Sequence, residues 1–68
     1  MNNPQKARAL HRNYFIDLEQ NADRNWIVIA ITHTYDGSSL LPPGFNYPGR
    51  ALAERYAQAA IDLQLSAE

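Results

Sequence analysis

The stretch Trp26-Ile27-Val28-Ile29-Ala30-Ile31-Thr32 decides the fold. It is dominated by β-branched and aromatic residues, too short for a buried helix and well matched to a strand. Upstream, residues 20–25 are polar apart from Ala22 and rich in types that tolerate turn geometry, which makes them a hairpin loop. Before that loop the pattern alternates. Tyr14, Ile16 and Leu18 take one parity and Phe15, Asp17 and Glu19 the other, the period of a half-buried strand over residues 14–19. Downstream, Asp36-Gly37 suits the positive φ angles of a tight hairpin turn, so residues 38–41 return as a short third strand beside residues 26–34. Pro42 and Pro43 lack a backbone donor and end that strand, leaving residues 41–48 as an edge or irregular loop.

Residues 50–65 form a helix of roughly 24 Å. Projected at about 100° per residue, Leu52, Tyr56, Ala59, Ala60 and Leu63 cluster with Ala53 beside them, while Glu54, Arg55, Gln58 and Asp62 lie opposite. Leu52, Tyr56, Ala60 and Leu63 are therefore expected in the core with Ile16, Ile27 and Ile29; Ile61 and Leu65 fall outside the stripe. The expected fold is α+β: a three-stranded antiparallel β-meander packed against one C-terminal α-helix, in the order β-β-β-α. This domain covers residues 13–68. Residues 1–12 hold Lys6, Arg8, His11 and Arg12 without an acid and are expected to be a basic arm, frayed or loosely docked.

Size and composition bound the function. A chain of 68 residues buries only roughly 60% of the surface its unfolded form exposes, so it holds one small domain. With 46% hydrophobic and 19% charged residues it is too apolar for a disordered tail. A net charge of −1 and a pI near 6.0 supply no field that would draw it to nucleic acid or anionic lipid. Absence of cysteine excludes disulfides and thiolate metal sites, so stability must come from packing or association, and a homodimer is expected. No apolar run approaches the roughly 20 residues of a membrane span, and the polar start is unlike a signal peptide. No membrane partner and a cytoplasmic location are the expectations.

Few residues suggest chemistry. His11 and His33 could join Asp17, Glu19 or Asp36 around a metal, but their spacing matches no ligand pattern; a solvated His11 and a strand-end His33 is the plainer reading. Ser38, Ser39 and Ser66 sit in a turn or near the end of the chain, without an elbow to activate a nucleophile. Asp17 and Glu19 share a strand face, yet nothing nearby promises the desolvation that acid–base work needs. Gly37, Gly44 and Gly49 build no phosphate-binding loop. No catalytic residue, cofactor or metal is expected. Pro42-Pro43-Gly44-Phe45 is similar to an extended recognition segment, although a loop with Phe45 and Tyr47 tucked inward explains the same residues.

The most informative feature is an excess of apolar surface. The central strand is apolar on both parities: Ile27, Ile29 and Ile31 on one, Trp26, Val28 and Ala30 on the other. One helix covers one face. If the isoleucines meet the helix, Phe15, Trp26 and Val28 form an outer patch of the kind that marks an interaction site. The expected role is a small non-enzymatic protein-interaction or regulatory module acting through its sheet face on a protein partner or a second copy. The alternative is an accessory nucleic-acid binder using the basic arm, disfavoured by the charge balance.

The tyrosine-led strand Tyr14-Phe15-Ile16-Asp17-Leu18-Glu19 and the alanine-spaced helix of Ala53, Ala57, Ala60 and Ile61 resemble the N-terminal domain of HicB-type antitoxins. The resemblance runs from Tyr14 to about Leu65. It implies a partial RNase-H-like domain that neutralises a small toxin ribonuclease, often as an oligomer, with a separate DNA-binding segment. Here the Pro-Gly element that usually follows the second strand is missing, Gly49 stands where a threonine normally precedes the helix, and the DNA-binding segment has no counterpart.

Overall fold

The computed structural model describes residues 5–66. Five elements follow one another: β1 (Lys6–His11), β2 (Tyr14–Gln20), β3 (Trp26–His33), β4 (Ser39–Leu40) and α1 (Arg50–Ser66). The strands form one antiparallel sheet in the order β1-β2-β3-β4, and α1 lies across one of its faces. The fold is thus α+β with a C-terminal helix, as the sequence pattern implies, and its third expected strand is the two-residue β4.

Residues 6–11 are not an arm. They pair with β2 along their whole length, from Lys6 opposite Glu19 to His11 opposite Tyr14. The segment alternates as a strand should, with Ala7, Ala9 and His11 toward the helix side and Lys6, Arg8 and Leu10 away from it. Alanine is a poor strand former, which hid the period. The turn was hidden too: Arg12 (φ 50°) and Asn13 (φ 69°) both adopt the left-handed region of a tight two-residue hairpin, where glycine is the usual signal. Residues 1–4 of the expected arm lie outside the described residues.

The loop between β2 and β3 is held by Asn21. Its side-chain Oδ1 accepts from the backbone of Asp23 and Asn25, both at 3.0 Å, and its own amide donates to the Asn25 carbonyl. The next turn forms at Gly37 (φ 72°), where Asp36 Oδ1 accepts from the Ser38 amide. Beyond β4 the prolines keep residues 41–46 out of the sheet, until Tyr47 exchanges two backbone hydrogen bonds with Trp26 and recloses the β3 edge.

The core differs from the expected one in a single systematic way. Tyr14, Ile16 and Leu18 are buried as the alternation of β2 demands. On β3, however, the register with β2 shifts between Asp17 and Leu18: Asp17 faces Ala30, Leu18 faces Val28, and Ile29 is the extra residue of a bulge. A bulge resets parity. Before it the inward residues are Trp26 and Val28, after it Ile31; Ile27 is half-buried and Ile29 is 46% exposed. Ile27 and Ile29 are therefore not core residues.

The helix shows the same kind of correction. It meets the sheet with Ala53, Ala57 and Ile61, all fully buried, and with Leu65 at its end. Small side chains let the helix axis come close to the sheet. Leu52 and Ala60 are only partly buried, Leu52 against the edge of the core, while Tyr56 (51%) and Leu63 (73%) are exposed, so the expected stripe is not the row that fills the core. Tyr47 completes the core under Tyr56, the two rings stacking at 5.0 Å. Burial raises the pKa of the Tyr47 hydroxyl, which has no hydrogen-bond partner among the described residues.

A polar clamp joins the β1–β2 turn to the last turns of α1. His11 Nε2 lies 2.9 Å and Arg12 Nη1 3.1 Å from Asp62 Oδ1. These contacts, His11 first, hold the Asp62 carboxyl below its ordinary range. Because the folded pKa is depressed, the stabilisation is present above about pH 4, the unfolded value, and is lost as pH falls through the folded value. Asp62→Asn is expected to melt below the wild type at neutral pH, with the gap closing in acid. Circular-dichroism melts of both proteins across pH check this; a gap that persists in acid would count against the clamp.

Candidate functional site

The sheet face opposite α1 is uncovered among the described residues. Three cross-strand rows build it: Lys6, Glu19 and Ile27; Arg8, Asp17 and Ala30; Leu10, Phe15 and Thr32. Ile29 joins them through the bulge, since it and Ala30 stand consecutively between the inward-facing Val28 and Ile31. The bulge thus turns a core-type isoleucine into surface.

Charge and apolar area are interleaved on this face. Arg8 Nε donates to Asp17 Oδ1 at 2.7 Å, and its guanidinium lies 4.6 Å from the centre of the Phe15 ring. The Asp17 hydrogen bond and charge raise the Arg8 pKa above its ordinary value. The pair is solvent-exposed, so it contributes orientation more than stability. Its effect is to cover one side of Phe15 and leave Leu10, 63% exposed, next to the half-buried ring. Apolar anchors ringed by oriented charges are what a protein interface needs at its centre and rim.

Of the three residues expected to form the patch, only Phe15 is on this face. Trp26 and Val28 are buried on the helix side, because the bulge assigns the first half of β3 the opposite parity from that expected. The structure does not bring the three together. Leu10 and Ile29 stand on this face instead; Leu10 belongs to β1, whose alanines conceal its period, and only the pairing of an unequal number of residues in β2 and β3 exposes Ile29.

The other candidates disperse. His11 is bound to Asp62, and His33 lies 3.3 Å from Asp36 with its ring edge-on to Tyr14. Among the described residues no three His, Cys, Asp or Glu side chains gather as a metal-holding group. Asp17 and Glu19 do share a face, each opposite a basic residue of β1. Tyr47 is tucked inward as expected of the loop, whereas Phe45 is exposed, its ring 6.4 Å from that of Tyr47 and inclined to it by 64°. No helix among the described residues is long and apolar enough to cross a membrane. Comparison with known proteins finds no matching family model, no matching curated protein and no matching solved structure.

Proposed function

We propose that this protein is a small, non-enzymatic interaction module whose open sheet face binds another protein. One observation carries this reading: Leu10, Phe15 and Ile29 present apolar side chains on the face that α1 leaves bare. The sharpest version is the one implied by the HicB resemblance, in which the partner is a small toxin ribonuclease held inactive. An antiparallel meander followed by a helix is compatible with it.

The nucleic-acid alternative has less support. In β1 Arg8 is engaged by Asp17 and Lys6 stands opposite Glu19, while Arg12 is engaged by Asp62, so the cations that would contact phosphate already have acidic neighbours.

Capture from the native host with the wild type and with Leu10→Glu/Phe15→Glu tests both. The double variant places charge on an exposed face and is expected to fold, with unchanged circular dichroism. Its affinity for the captured protein should drop by roughly 30-fold or more, the scale of losing a central anchor. In the antitoxin version that protein is a small ribonuclease whose activity the wild type suppresses. Binding that survives the double variant but disappears when Lys6, Arg8 and Arg12 are neutralised would overturn the reading in favour of nucleic acid.

A further inference from the structure

The fold buries Ala53, Ala57 and Ile61 of α1 and leaves Tyr56 and Leu63 exposed. Leu52, Tyr56, Ala59 and Leu63 follow one another at steps of four, three and four residues, the spacing of a seam between two helices. Their exposure agrees in part: Ala59 and Leu63 are exposed, Tyr56 is half exposed although its ring stacks on Tyr47, and Leu52 is partly buried at the edge of the core. A surface helix ordinarily turns its bulky stripe to the core and its small or polar residues to water. Here Tyr56 and Leu63 stand in water while two alanines, with Ile61, meet the sheet.

We propose that this stripe is a self-association surface, paired with the same helix of a second copy in antiparallel orientation. Two observations select that occupant. The first is charge. Arg55 and Asp62 flank the stripe on the same side, and in an antiparallel two-fold pair the residues of one flank meet each other, so Arg55 of each copy approaches the partner's Asp62. Asp62 receives His11 and Arg12 on Oδ1, which leaves Oδ2 for this contact. A parallel pair would not join these two residues. The second is shape. The same register sets Tyr56 against the partner's Ala59, large against small, and brings the partner's Leu63 over Leu52, beside a shallow recess of about 300 Å³ lined by Ala51, Leu52 and Arg55. The surface is complementary to itself.

The helix pair lies on the opposite side of the molecule from Leu10 and Phe15, so a dimer built this way leaves both open sheet faces free. The proposal is therefore independent of the role assigned to that face. A seam of about three turns is short, and the dimer is expected to form in the micromolar range or above.

Sedimentation velocity of the full chain across about 10 μM to 1 mM reads the association. The wild type is expected to shift from monomer to dimer over that range. Leu63→Glu should weaken it at least about 30-fold. Arg55→Glu, which sets two acids against each other, should weaken it about tenfold. Leu63 and Arg55 are exposed, so both variants should keep the wild-type melting profile at low concentration. The chain has no cysteine, so Leu52→Cys/Leu63→Cys gives a clean register test. The double variant should cross-link into a covalent dimer and neither single variant should. Cross-linking by Leu63→Cys alone would overturn the antiparallel arrangement. A wild type that stays monomeric throughout, or a dimer that survives Leu63→Glu and is lost with Phe15→Glu, would overturn the proposal.

Discussion

Ile31→Ala is expected to cost about 2–5 kcal/mol, whereas Ile29→Ala, two residues away on the same strand, should cost about 1 kcal/mol or less. Ile31 is fully buried beneath α1 and pairs with the equally buried Ile16 across β2 and β3. Removing its side chain leaves a cavity among residues that cannot collapse into it, and the cavity adds to the lost transfer free energy. Ile29 is already half in water, so shortening it opens no cavity. For 68 residues the total stability is expected near roughly 3–10 kcal/mol, which makes the first variant marginal and the second nearly native. Urea unfolding of the two proteins reads the difference. Equal midpoints would mean that the bulge is misplaced and that the isoleucines of β3 share one environment.

The contrast between these two isoleucines also shows where sequence alone stops. Strands β2 and β3, the Asp36-Gly37 turn and the helix are all legible, because each rests on local chemistry: alternation, β-branched composition, a positive-φ dipeptide, a long segment without glycine. Strand β1 was missed because its inward positions are alanines and its turn, Arg12-Asn13, lacks glycine; pairing with β2, not propensity, makes it a strand. Facing directions on β3 failed for a related reason. A bulge is a mismatch between two strands, so no periodicity within one of them reveals it. On α1 the widest apolar stripe and the buried row do not coincide: the sheet is met by Ala53, Ala57 and Ile61. Hydrophobicity identifies which residues avoid water, but the depth of helix–sheet contact selects among them, and alanine allows the closest approach. The open face was anticipated as a face and from Phe15, while Leu10 and Ile29 depended on pairings that only the assembled sheet displays.

Val28→Glu should unfold the protein at neutral pH. Val28 is buried opposite Leu18, immediately before the bulge. Among the described residues no buried charged side chain lies in this core to pair with a carboxylate. An ionised glutamate there would go without a countercharge, at a cost of several kcal/mol, comparable with the whole stability expected of so small a domain. Protonation removes most of that penalty. The folded-state pKa of the new carboxyl is therefore raised above its unfolded value near 4.3, so the variant loses stability relative to the wild type as pH rises past that value. Thermal melts of Val28→Glu and Val28→Gln over pH 4 to 8 test the sign: only the glutamate's deficit should grow with pH. Phe15→Glu, on the bare face, should remain folded throughout. Had Val28 stood on that face beside Phe15, both glutamates would be tolerated and neither would titrate with folding. A folded Val28→Glu at neutral pH would thus move the interface back to Phe15, Trp26 and Val28 and leave Leu10 and Ile29 without their role.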